Sequence, residues 1–455
     1  MLTEAIKRNP DYLKAEIVTG ASAGAINTVL SMFALGAEPE DNPQNSIYYL
    51  VWNQLRFNHL LDVCSPETPP GALSSRKLLW DISRKMISFY PDKITDLDLK
   101  IGISTTRVDA EKISIPGGIT IPNQQAKFVF LVEKNKDTLL RIDNHLWTKD
   151  KLTQLLLPFS ADLSKNFNAI MQTAFASCGI PVVFPPQEID YCEEKIPETD
   201  QQKNPLDCAY EDTTTGRFVD GGVVDNSPIN LAYNIRNNRR ASGASAENPD
   251  RMIYIYVDPE HLKYEVSAPT SDNRDPSPYN DRHTMYFGMT LSKTLPKFLS
   301  GFIASSRSSE IYSLVQHDPQ ARVLRTKTKF LPVSSVLHGQ LGFFEQDILK
   351  FDYYLGMRDA AQFIQTDLSA AVAEVFQGAF NGEIQLPVSE SAGWAPYLCM
   401  KAVFDGEGNR TVCDFTNAER QKNDPASAGD VSPFTVDPID PHNFKILMQV
   451  SIDRL

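Results

Sequence analysis

Two short stretches of the chain hold residues able to do covalent chemistry. In Gly20-Ala21-Ser22-Ala23-Gly24 a serine stands between two glycines. A Gly-x-Ser-x-Gly run between a strand and a helix presents the hydroxyl on a sharp turn, where flanking glycines spare the neighbouring backbone a side-chain clash. Ser22 is therefore a candidate nucleophile, and its position at a helix start lets the Ala23 amide and the helix dipole stabilise an oxyanion. The second stretch is Asp220-Gly221-Gly222, which brings a carboxylate into a glycine turn as a candidate proton acceptor. Alone, each has a plainer reading: a structural glycine turn for the first, an Asx-type turn for the second.

The elements needed to position these groups can be read around them. Residues 14–19 form a short extended run, and 23–35 a small-residue helix, so Ser22 sits in a strand, turn, helix context. Residues 2–13 read as an earlier amphipathic helix. Residues 99–105 and 251–257 are rich in β-branched and apolar side chains and are expected in one sheet. A helix over 166–178 is stopped by Pro181, Pro185 and Pro186. Residues 190–215 are charged and read as a surface excursion. Phe218-Val219 reads as a strand running into Asp220, followed by a helix with Ser227 as N-cap and Pro228 at its first position. Alternating strands and helices predict an α/β fold with a mainly parallel central sheet. Past a polar linker at 267–282 helical periodicity dominates, longest over 343–377, with an irregular tail from 382 that ends in a strand-like run at 445–450. This gives an α/β unit over 1–262 and a mostly helical extension over 263–455. Residues 285–302 carry apolar side chains at helical spacing, read as core packing, with a lipid-facing lid as the alternative. Gly117-Gly118 reads as a hairpin or loop turn.

Composition narrows the function classes. The chain has 455 residues, 42% hydrophobic, enough for a large core, and a formal net charge of −13. That charge argues against nucleic acid as a partner. No apolar run approaches the roughly 18 residues of a membrane span, and the first residues lack the apolar core of a secretory signal. No compartment is assigned, and an extracytoplasmic one stays open. The six cysteines contain no CxxC pair, so no metal site is expected and no cofactor is implied. Six reduced thiols are the favoured reading, with Cys192/Cys208 and Cys399/Cys413 disulfides as the alternative.

Together the two motifs resemble the patatin-like phospholipase family, with Gly20 to Gly24 and Asp220 to Gly222 matching its two signatures. Residues 176–186, Ala-Ser-Cys-Gly-Ile-Pro-Val-Val-Phe-Pro-Pro, and Asp225-Asn226-Ser227-Pro228 extend the likeness across about residues 5 to 260, and 351–360 is similar to a C-terminal segment of bacterial members. The resemblance implies a three-layer α/β fold and a Ser/Asp dyad. It also implies a lipid or acyl-ester substrate cleaved through an acyl-enzyme, as by a phospholipase A, lysophospholipase or related esterase of lipid catabolism, with peripheral membrane contact. The family's glycine-rich oxyanion loop has no counterpart in the 21 residues before Ser22. A chain incomplete at its N-terminus is the expectation, and a non-catalytic binding or scaffold protein of the same fold is the alternative. A Ser/His/Asp triad would need one of His261, His283, His317, His338 or His442, none in a diagnostic context.

Overall fold

A computed structural model describes residues 1–53, 55, 75–89, 91–115, 119–135, 138–145, 154–181, 183–193, 206–225, 228–241, 252–257, 310–326, 346–376, 380 and 383–387. Helix α1 (Leu2–Arg8) ends at Asn9, shorter than the expected 2–13, because Pro10 disfavours helical backbone at the residue before it. Strand β1 (Ile17–Gly20) leads through Ser22 into α2 (Ala23–Gly36), as the residue types require. Ala25, Ile26, Val29, Leu30, Met32 and Phe33 are buried on α2, the three-and-four spacing of a helix laid on a core. Helices α3 (Ile47–Trp52) and α4 (Lys77–Phe89) then carry the chain to the long β2 (Leu97–Ile115).

Strands β2 and β3 (Ile119–Lys134) form a hairpin whose register closes with Ile115 opposite Ile119. The Gly117-Gly118 turn itself lies outside the described residues. Strands β4 (Arg141–Asn144), β5 (Gln154–Leu156), β6 (Gln187–Glu193) and β7 (Thr214–Val219) complete a seven-stranded sheet of order β1-β2-β7-β6-β5-β3-β4. Because β2 also pairs with β3, five of these strands close into a ring.

The sheet is mixed, which corrects the expected mainly parallel arrangement. Only β1 with β2 and β3 with β5 run parallel, while five pairings are antiparallel. The described part of the β1 to β2 connection includes three α-helices, enough chain for a parallel crossover; the β2–β3 and β3–β4 links are too short for one. Residues 190–215 also differ from expectation, since β6 occupies their start. Ile189, Tyr191 and Cys192 of β6 are buried and Glu188 and Asp190 exposed, so its charges belong to the outer face of a strand.

Helices cover both faces. Helix α5 (Leu163–Ser177) joins α2 and α4 in the main core, with Phe33, Phe167 and Phe175 against Ile101, Ile103, Phe128 and Phe130 of the sheet. On the other side α6 (Ile229–Ala241) sets Leu231 and Ile235 on Val129 and Ile17. The described part is thus α/β, with a mixed sheet between helical layers.

Strand β8 (Ile253–Tyr256) pairs with β9 (Arg322–Arg325) in a separate two-stranded sheet, whereas one sheet shared with β2 was expected. Ile253, Ile255 and Leu324 face a second core built by α7 (Gln346–Phe363), a π turn (Ile364–Leu368) and α8 (Ser369–Phe376). Its apolar pairing surface is thereby used away from the main sheet. Ala5 of α1 is buried in that second core, and Asn9 exchanges two 2.9 Å hydrogen bonds with the backbone of Gln385.

Cys192 and Cys208 form a disulfide, against the favoured reading of free thiols. The antiparallel β5–β6 register puts Cys192 opposite Leu156, and Cys208 is buried against the same leucine, so burial and pairing coincide. Cys178 is a free thiol. Cys64, Cys399, Cys413, Ser227, 267–282, 285–302 and 445–450 lie outside the described residues, as do His261, His283, His338 and His442. Among the described residues no helix is long and apolar enough to cross a membrane.

Candidate active site

Strand β2 is the rail on which the two motifs meet. Gly20, at the end of β1, is opposite Ile103, and Val219, at the end of β7, is opposite Thr106 on the same strand. The residues that follow each strand, Ser22 and Asp220, therefore leave the sheet side by side. The Ser22 hydroxyl donates to Asp220 Oδ2 at 2.8 Å, across 198 residues of sequence.

Ser22 has φ 54° and ψ −135°, the only positive φ of a non-glycine residue among those described. Such backbone costs about 1–3 kcal/mol and persists only where the surroundings impose it. They do so here. The Ser22 N–H donates to Ser177 Oγ at 3.0 Å, and Ser177 Oγ donates in turn to the Ser104 carbonyl at 2.7 Å. A Cβ on Gly20 would stand 2.3 Å from the Gly24 carbonyl oxygen, so only glycine fits before the turn. Gly24 is different: a Cβ there meets nothing within 4 Å. The second glycine leaves open space beside the serine, and the expected relief of a clash applies to the first alone. Ala23 is exposed at the first position of α2, where its N–H has no intrahelical acceptor.

Asp220 is 4% exposed and held from several sides. Its carboxylate also accepts from the Gly222 N–H at 2.7 Å, its own N–H donates to the Gly179 carbonyl at 3.0 Å, and its carbonyl accepts from Thr106 Oγ1 at 2.8 Å. Gly221 is required because a Cβ would lie 2.0 Å from the Ser104 carbonyl oxygen. Burial lifts the Asp220 pKa to about 6, although the Gly222 and Ser22 hydrogen bonds pull it back toward the ordinary carboxylate range. A carboxylate titrating there is a better base near neutral pH than an ordinary aspartate.

Behind the turn, Lys127 pairs with Asp225 at 2.9 Å, both buried, and Asp225 accepts from Ser104 Oγ at 3.1 Å. The Asp225 N–H closes the turn onto the Gly221 carbonyl at 2.8 Å. The Cys178 thiol, next to Ser177, is pushed up to about 12 by burial and stays protonated near neutral pH. His317 is exposed, and its ring bonds the Ser313 carbonyl. Among the described residues no group of three or more metal-ligating side chains is found.

The structure thus brings Gly20, Ser22, Ala23, Gly24, Asp220, Gly221 and Gly222 to one place. Reading the sequence did not single out Ser104, Thr106 or Ser177 as the groups that fix the pair. Ser177 lies inside the 176–186 stretch quoted for its likeness, and that was its one signal. Ser104 was visible only in the polar end of the 99–105 strand, and Thr106 lies just past it. The family model described as patatin-like phospholipase matches residues 3–233, about half of the chain. Comparison with curated proteins gives no match.

Proposed function

This chain belongs to the patatin-like phospholipase family, and on that premise we propose that it is a serine hydrolase of lipid acyl esters, a phospholipase A, lysophospholipase or related esterase, with Ser22 as nucleophile and Asp220 as base. The family carries the broad part of this reading, a hydrolase acting on lipid esters. The observation that supports the finer part is the 2.8 Å bond between a serine at a strained turn and a buried aspartate.

In this reading Asp220 takes the hydroxyl proton as Ser22 Oγ attacks the ester carbonyl, and the carbonyl oxygen becomes an oxyanion at the start of α2, facing the Ala23 N–H. Collapse of the tetrahedral adduct breaks the bond to the alcohol, which leaves with the proton held by Asp220. Water then repeats the sequence: Asp220 takes its proton, hydroxide adds to the acyl-enzyme, and Ser22 departs as the carboxylic acid forms. One residue serves as base and then acid in each half, the role for which a pKa of about 6 is suited.

A fluorophosphonate probe followed by peptide mapping tests the assignment. Ser22 is expected to carry the label, Ser22→Ala to abolish it, and Asp220→Ala to slow both labelling and ester hydrolysis by about 10²-fold or more. Folded protein that takes up no label at Ser22 and cleaves no ester of any chain length would leave the binding-protein reading in its place.

A further inference from the structure

A sheet face covered by a helix is ordinarily apolar, but one stretch of the β2–β3 hairpin is not. Ser104 stands opposite Lys127 in the register and Thr106 opposite Gln125, so the four side chains leave one face, the face on which Val129 packs under α6. Ser104, Thr106 and Lys127 are buried. Together the four reach both ends of a single turn. Thr106 Oγ1 donates to the Asp220 carbonyl at 2.8 Å, while Ser104 Oγ, Lys127 Nζ and Gln125 Nε2 stand 3.1, 2.9 and 3.4 Å from Asp225 Oδ2.

Stability alone is a poor account of this polar seat. Asp225 is fully buried, yet its Oδ1 has no hydrogen-bond partner among the described residues. An unsatisfied buried oxygen is costly, and a buried ion pair can often be replaced by apolar side chains without loss of stability. What the seat does supply is a fixed path between the two reacting residues. The Ser22 N–H donates to Ser177 Oγ, which donates to the Ser104 carbonyl; Ser104 Oγ donates to Asp225, whose N–H closes on the carbonyl of Gly221, next to Asp220. The 2.8 Å bond from Ser22 Oγ to Asp220 completes a ring. Gly221 also rests directly on the Ser104 carbonyl, where a Cβ would come within 2.0 Å. Ser104 therefore supports the nucleophile's backbone with its carbonyl, and Asp225 is the side chain through which the base's turn takes hold of its hydroxyl.

We infer that Asp225, seated by Lys127, is a positioning residue of the dyad: through Ser104 it sets the strained Ser22 backbone against Asp220, and without that grip both groups remain but are misaligned for proton transfer. The inference rests on the Ser22/Asp220 reading for its catalytic consequence, and its test separates the two. Hydrolysis of p-nitrophenyl butyrate is compared for the full chain, Asp225→Asn, Ser104→Ala and the double variant. Each single change should lower kcat by about tenfold or more and alter KM by less than about twofold, because only transition-state alignment is lost. The double variant should lie within about twofold of the slower single one, since both changes cut the same ring. Val372→Ala, in the second core, should lower Tm while leaving kcat unchanged. In a Ser22→Ala background, where no catalysis intervenes, hydrogen exchange is followed at the residue 22 amide. Adding Asp225→Asn or Ser104→Ala should speed that exchange by about tenfold or more.

Wild-type kcat in folded Asp225→Asn or Ser104→Ala overturns the inference. So do fully multiplicative losses in the double variant, or unchanged exchange at residue 22. An equal fall of kcat in Val372→Ala would assign the effect to lost stability and overturn it too. Should Asp225→Asn fail to fold, Ser104→Ala, which leaves the pair with Lys127 whole, decides the matter. If the wild-type chain cleaves no ester, the dyad reading fails by itself, and the exchange series still decides whether Asp225 holds residue 22 in place.

Discussion

Asp220 combines two demands that pull in opposite directions. Serving as a base requires a raised pKa, and burial supplies it, but a buried carboxylate is a burden on the fold once it ionises. Its folded-state pKa of about 6 exceeds the roughly 3.9 of an unfolded aspartate. The folded state therefore holds the proton more tightly, and the stabilisation this gives is complete below about pH 4 and lost as pH rises through 6. Asp220→Asn, which keeps an acceptor for the Gly222 N–H, should be more stable than the wild type at pH 7.5, by on the order of 2–3 kcal/mol. The advantage should vanish by pH 4, read from urea melts across that range. Equal stability at both pH values would mean that burial does not perturb this carboxylate. For the wild-type chain, kcat/KM should rise with pH around an apparent pKa near 6. Ser22 and Asp220 were legible in the sequence because each is declared by five or fewer neighbouring residues. Ser177 and Thr106 were not, since an Oγ takes its role from chain segments tens to more than a hundred residues away.

At the scale of elements, the turn around Ser22 is asymmetric in a way the Gly-x-Ser-x-Gly pattern conceals. Gly20 is enclosed by the first turn of α2, whereas Gly24 faces open space. Gly20→Ala should therefore cost more than about 2 kcal/mol, because the Gly24 backbone carbonyl, which cannot swing aside, blocks the added methyl together with Thr28 Oγ1. Gly24→Ala should leave stability unchanged or raise it by up to about 1 kcal/mol through helix propensity. Thermal melts of the two variants check this, and similar destabilisation in both would refute the asymmetry. The same scale explains what was misread in the sheet. Strand identity is local, so β1, β2 and β7 could be recognised from their own residues. Strand direction depends on how strands are linked, and what decided it was the antiparallel pairing that closes with Ile115 opposite Ile119, together with the unrecognised β6. The Cys192–Cys208 disulfide was likewise undecidable from spacing, because it depends on β5 gathering both cysteines into one buried cluster around Leu156.

Across the whole molecule, two cores share one chain end. The family match stops at residue 233, but Ala5, from the start of that match, is buried with Phe363, Ile364, Leu368 and Val372 from well beyond it. Tyr353 and Tyr354 add hydrogen bonds to Pro43 and Gln44 at 3.1 and 3.0 Å. A polypeptide ending at residue 262 should consequently expose an apolar face on α1 and β8, and it should aggregate or melt well below the full chain in size-exclusion and thermal experiments. A soluble 1–262 fragment with an undiminished Tm would make the helical extension dispensable. The helical run over 346–376 was legible from the 343–377 periodicity. Its docking onto residues 1–13 was not, because a short amphipathic helix does not name the surface it covers.

The 198 residues between nucleophile and base also set a timetable. At a synthesis rate of roughly 5–20 residues per second, Ser22 leaves the ribosome about ten to forty seconds before Asp220 does. Throughout that interval the serine has no base, Thr106 has no Asp220 carbonyl to hold, and β2 waits for the strand that closes its ring. The active centre is among the last features of this part of the chain to assemble. An emerging chain would thus remain chemically silent until the whole ring has been made.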